Sequence, residues 1–374
     1  GVRRRVGVVS TGTDAGLAVA ARRIGTLVCF GALPVAVLAT MLVVGLDTDS
    51  ISADFHHELY PQTEEMLAGR NPYPPPDFDP TVAPNFIWPP AAAILVAPLT
   101  LLPLGAADLV MAAIGLACFM AALWIVGVRD WRVFGVVLLW PSVAGEMRVS
   151  HLTPIIALLL AFAWARRHHP VRAGLYVGAA TALKFFVWPV AVWLVAIRRP
   201  VAATVAAVVG ALSLLLVLPF TGVGDYARSL MTLGRAFDQD TYTLFGLATQ
   251  LGAGDTAARA TTVLAGAALV LVTLRTGSFA CAVASALVLS PIVWLDYFAL
   301  VAVPLAVVTP RLSAVWLLPL ATWGLTGAGL GIGDALDIAR LLVVFGLVVG
   351  ATVWGERGRE PALARPPAPH QPAS

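Results

Sequence analysis

Charge is what this sequence has least of. Asp, Glu, Lys and Arg make up 12% of its 374 residues, where a soluble globular chain carries about a quarter, and the mean hydropathy is +0.85. Lysine occurs once, at Lys184. That scarcity excludes a soluble globular enzyme. The net charge of +3 does not point to nucleic acid, because the arginines stand in short clusters between apolar runs and draw no phosphate-tracking stripe.

Cysteine is scarce as well. Cys29, Cys118 and Cys281 lie inside apolar stretches without paired spacing, which leaves out a disulfide framework and a thiolate metal site; buried thiols are the plain reading. The short alternating segments of a β-barrel are missing. Internal repeats are missing too, and no loop is large enough to hold a nucleotide-sugar-binding domain.

What is abundant is apolar length. Hydrophobic residues are 59% of the chain, gathered in runs of about 17 to 25 residues, enough for helices to cross a hydrocarbon core with their own backbone groups satisfied. The expected fold class is an all-α polytopic membrane protein. The first run, Ile24 to Leu46, follows Arg22 and Arg23 and is expected to be a retained helix with its N-terminus cytoplasmic. From Glu356 the Pro/Ala-rich "ERGREPALARPPAPHQPAS" reads as a disordered cytoplasmic tail, so the expectation is one transmembrane domain over 1–355 and a tail over 356–374.

Counting crossings from an inside N-terminus puts loop 47–105 outside, rich in acids with Arg70 its one basic residue. The Arg clusters "RDWR" (129–132) and "RRHHPVR" (166–172) fall inside only if 86–103, which carries Pro89, Pro90, Pro98 and Pro103, does not span but is re-entrant or surface-lying. Twelve crossings result, among them 133–146, 150–165, 171–183 and 185–197, with both termini cytoplasmic and a second outer loop at 221–258.

In the first outer loop, Phe55, Leu59, Met66 and Leu67 draw one apolar stripe, which predicts an interfacial helix over about 55–68 that stops at Gly69. Asp54 then stands just before its first turn. It reads either as an N-cap or as a general base fixed where a lipid head group would sit. His56 and His57 are neighbours that diverge on a helix and do not readily share one metal. Lys184 lies in apolar surroundings near the same outer face, where it either snorkels as an anchor or binds an anionic lipid phosphate. Arg340 and Arg148 raise the same possibility of phosphate binding. Asp296 and Tyr297 sit at an outer helix junction, with Asp296 a second candidate base, a sugar-binding group or the partner of an arginine. Trp88, Trp188, Trp294 and Tyr297 form either an interfacial belt or sugar-stacking faces.

Taken in order, Asp54-Phe55, "LAGRNPY" (67–73), "FIWPP" (86–90), "APLTLLP" (97–103), Lys184 with Pro189, and "SPIVW" (290–294) resemble the polyprenyl-phosphate-dependent GT-C glycosyltransferases. Within them the closest likeness is to the actinobacterial α-1,2-mannosyltransferases of family 87 (DUF2029-like). The resemblance implies a GT-C bundle of about 12 transmembrane helices with a large first extracytoplasmic loop. It implies an inverting enzyme of the plasma membrane that moves mannose from polyprenyl-phosphate-mannose to a cell-envelope glycolipid or lipoglycan on the outer face. Asp54 matches the family's catalytic aspartate. Read from the residues themselves, Lys184, Arg340 and Arg148 are the candidate donor-phosphate contacts, and His57, Trp88, His151, Trp294, Asp296 and Tyr297 the candidate sugar or acceptor contacts. No cofactor is required by it, and a divalent metal stays open. Two departures stand out: Ser150-His151 replaces the family's usual Gly-Gln, and Asp296-Tyr297 replaces its frequent His pair. Arabinofuranosyl transfer from the corresponding lipid pentose and transport of lipid-linked sugars are the alternatives.

Overall fold

The computed structural model describes residues 12–47, 51–75, 77–79, 88–237, 241–325 and 334–358, and among them the chain is nearly all helix, with no strand. The expected disordered tail, apart from its first three residues, lies outside the described residues. Four helices are long and apolar enough to cross a membrane by length and composition: Val19–Asp47, Leu104–Ile125, Asp255–Thr276 and Ala335–Arg357. The shorter apolar helices include Thr153–Ala165, Pro200–Leu215 and Phe279–Leu289.

Proline decides where the remaining runs break. The stretch 133–146, expected as one crossing, is instead a helix Trp131–Leu138, then short helices Pro141–Ala144 and Glu146–Val149. Pro141 lacks an N–H, and the residue before a proline is driven out of the helical region; Trp140 is accordingly extended at φ −64°, ψ 129°. Residues 88–103 likewise form no straight span. Seven residues of α-helix, Pro90–Val96, run into five of 3-10 helix, Ala97–Leu101.

Helix Pro170–Leu183 packs face to face on Pro200–Leu215 because two glycines let the backbones close. A Cβ on Gly174 would lie 2.4 Å from the Ala202 carbonyl oxygen, and one on Gly178 would lie 2.6 Å from the Val209 Cβ. Small residues four apart are the usual means of close approach between membrane helices, where packing rather than apolar burial holds helices together. That pairing fixes the C-terminal end of Pro170–Leu183, where Lys184 sits.

The basic loop at 129–132 is internally satisfied. Asp130 caps helix Trp131–Leu138, pairs with Arg132 at 2.9 Å and accepts from the Leu312 N–H at 3.1 Å; the adjacent guanidinium holds its carboxyl down at about 2. At the other end of the chain, the last helix continues through Arg357. There Glu356 accepts from Ser278 Oγ and from the N–H groups of Phe279 and Ala280, closing the N-terminus of Phe279–Leu289.

Candidate active site

The helix expected over about 55–68 forms, but it starts differently from the expectation. Phe55–Leu59 is a π-helical turn leading into an α-helix Tyr60–Leu67, and Gly69 follows at φ 71°. π-turns widen a helix locally and recur at functional sites. Phe55 and Leu59 are each 1% exposed, so this edge is packed into the body, while Leu67 at the far end is exposed.

This geometry overturns the capping role for Asp54. The residue is itself helical, at φ −71° and ψ −36°, and its side chain caps no N–H. Its carboxylate Oδ2 instead meets His151 Nε2. The other imidazole nitrogen, Nδ1, lies 2.7 Å from Asp296 Oδ2, which also accepts from Thr153 Oγ1 at 2.9 Å. An imidazole held at both nitrogens by carboxylates has fixed orientation, and any proton taken at one end is felt at the other. The two departures from the family pattern therefore touch each other.

A second group closes the other side. Helix Pro170–Leu183 ends at Lys184, whose backbone is extended at φ −151°, ψ 114° before a 3-10 turn Phe185–Val187 and Pro189. The break turns the ammonium inward. Lys184 Nζ donates to Tyr297 OH at 2.5 Å and lies over the rings of Trp88 at 4.1 Å and Tyr297 at 4.0 Å. Cation–π contact of this kind holds an ammonium where water is scarce. Trp88 and Tyr297 also flank His151, with ring centroids at 5.5 and 5.6 Å, and Phe186 stacks on Tyr297. Trp88 and Tyr297 are thus walls of the site rather than an outward belt, whereas Trp188 is exposed.

Glu58, one helical turn from Asp54, accepts from Trp88 Nε1 at 3.2 Å. Burial, reinforced by the neighbouring Asp54 carboxylate, pushes its carboxyl up to about 8, against the opposing pull of His151, the Trp88 bond and Lys184. At neutral pH it is mostly neutral. Asp54 consequently does not face a second full negative charge from its own helix.

Not every residue singled out from the sequence joins this cluster. His57 is exposed and rests on the His56 ring, and His56 Nδ1 pairs with Asp108 at 2.7 Å. Trp294 packs against Phe237. Exposed Arg340 donates to the Trp323 carbonyl at 3.2 Å, and Arg148 lies half-buried in the short helix Glu146–Val149. Glu146 was not foreseen. It is 8% exposed, its two oxygens have no hydrogen-bond partner, and it lines a cavity with Ser150, Phe119 and Ala299. A carboxylate closing an apolar run was its available signal.

The arrangement offers a proton acceptor of defined orientation, a buried cation about one aromatic ring away, and flat faces of the kind sugars stack on. A family model for glycosyltransferase family 87 matches residues 86–295. No curated protein and no solved structure matches the chain.

Proposed function

The chain belongs to glycosyltransferase family 87, and we propose that it moves mannose, with inversion, from polyprenyl-phosphate-mannose to a hydroxyl of a cell-envelope glycolipid or lipoglycan. The observation that carries this reading is the convergence of Asp54 and Lys184, 130 positions apart, on the walls of one site: Asp54 on His151, Lys184 on the tyrosine that flanks His151.

Direct displacement needs help mainly on the nucleophile's side, because a phosphate with a second pKa of about 6 already leaves readily. Asp54 takes the proton of the acceptor hydroxyl as its oxygen bonds to the anomeric carbon. The bond from that carbon to the phosphate oxygen breaks, and the electron pair departs on phosphate. Lys184 meets the growing charge. Asp296 and His151 keep the Asp54 carboxylate aimed. A glycosidase would need two carboxylates across the scissile bond; here one base and one cation suffice. Trp88 and Tyr297 supply stacking faces.

The donor's lipid tail fits a site formed among membrane helices. In this reading both termini are cytoplasmic, and Asp54 and Lys184 face the exterior. Transport of a lipid-linked sugar is the second reading, because the helix broken at Lys184 is also what binding sites of transporters use. One experiment separates the two. Purified protein in vesicles is given radiolabelled polyprenyl-phosphate-mannose and a glycolipid extract. Label joined to glycolipid through a new glycosidic bond supports the transferase; label that crosses the vesicle wall with no new bond overturns it.

A further inference from the structure

We infer that Glu146, His151 and Asp296 form a binding site for one divalent cation of the Mn²⁺ type. One potential ligand atom from each lies within 4.8 Å of the others, and all three residues are buried. Asp296 and Glu146 offer oxygens, His151 a nitrogen; this mixed set suits first-row divalent ions.

The second, independent observation is Glu146 itself. A carboxylate that is 8% exposed with both oxygens unpartnered is costly unless something compensates its charge. The charged groups whose fields reach it are Asp296, His151, Lys184 and Asp54. Lysine is already engaged with Tyr297 and two aromatic rings. The cavity beside Glu146, walled by Ala112, Gly115, Phe119 and Pro154, is where the remaining coordination positions would open.

The same geometry gives His151 the arrangement usual for metal-bound imidazoles, one nitrogen on the metal and the other N–H on a carboxylate. Nδ1 faces Asp296 and takes the metal; Nε2–H faces Asp54. The cation therefore ties the orientation of Asp54 to the occupancy of the site. Any role of the cation toward a phosphate rests on the transferase reading, whereas its binding does not.

The test is electron paramagnetic resonance of Mn²⁺ titrated into chelator-stripped, detergent-purified protein. One Mn²⁺ should bind per chain, with a ¹⁴N coupling that disappears in His151→Gln. Affinity should fall at least about tenfold in Glu146→Gln and in Asp296→Asn, and should persist in Asp54→Asn. Melting curves without metal identify any variant that fails to fold, and the wild-type ¹⁴N coupling decides the matter in that event. Absence of a ¹⁴N-coupled Mn²⁺ in the wild type, or affinity unchanged in folded Glu146→Gln, overturns the site whether or not the protein transfers sugar.

Discussion

Ser52 and Ser150, 98 positions apart, both hold a left-handed backbone, at φ 56° and 49°, and their hydroxyl oxygens lie 2.7 Å apart. Ser52 donates onward to the Asp108 carbonyl at 2.9 Å, so Ser150 is the donor between the two serines. A non-glycine residue in this region costs about 1–2 kcal/mol, and such strain persists where the surroundings over-determine it. Here it sets the residue next to His151 against the residue two before Asp54. The serine pair is the pin that brings Asp54 and the His151 imidazole into register.

Replacing that pin separates strain from bonding. Ser150→Gly removes the backbone cost, about 1 kcal/mol, and forfeits a hydrogen bond of similar worth, so thermal unfolding in detergent should scarcely change while transfer falls. Ser150→Val, β-branched at positive φ and without a donor, should lose about 2 kcal/mol or more. Equal melting of the two variants would show that the backbone there is not strained.

Lys184→Met, assayed in protein whose melting curve shows it folded, should lower kcat by about 10²–10³. Lys184→Arg should not rescue it, since the planar guanidinium does not replace a compact ammonium between the rings of Trp88 and Tyr297. Turnover of labelled donor by the three proteins checks this; full activity in Lys184→Met would make the residue an anchor only.

Glu58 gives a pH signature. Its carboxyl sits at about 8 in the folded chain, raised chiefly by burial and then by Asp54, against about 4.3 when unfolded. Between those values the folded state holds the proton that the unfolded state releases. The stability that Glu58 contributes is therefore fullest below about pH 4.3 and declines as pH rises toward 8. Glu58→Gln keeps an acceptor for Trp88 Nε1 and should flatten the fall in melting temperature from pH 5 to pH 9. Parallel curves for both proteins would contradict a neutral Glu58.

The closeness of helices Pro170–Leu183 and Pro200–Leu215 predicts that Gly174→Val destabilises by about 2 kcal/mol or more, because the obstacle is the Ala202 carbonyl rather than a movable side chain. Gly346→Ala, where nothing lies within 4 Å, should be neutral or slightly stabilising. Melting curves of the two variants provide the comparison.

Much of the site could be read from residue type against background. Lys184 and Asp296 stand out because ionisable groups in apolar runs need a reason, and both line the cluster, as do His151, Trp88 and Tyr297. Glu146 escaped because it falls at the end of an apolar run beside Arg148, where a charge reads as a boundary. His57 was favoured over its neighbours, but only the helix phase decides which side chain turns inward, and the π-turn at 55–59 shifts that phase. Spans were legible as hydropathy, their continuity was not. Trp140-Pro141 broke 133–146, and Trp188-Pro189 follows the break at Lys184, since one missing N–H outweighs the hydropathy of a whole run.

The central claim is that the Asp54 carboxylate takes the acceptor's proton, and Asp54→Asn tests it most directly, because asparagine keeps the size and can still bond to His151. Initial rates of mannosyl transfer from labelled polyprenyl-phosphate-mannose should drop by at least about 10²-fold, with the melting temperature unchanged. Transfer by the folded variant within a few-fold of the wild-type rate would contradict the claim.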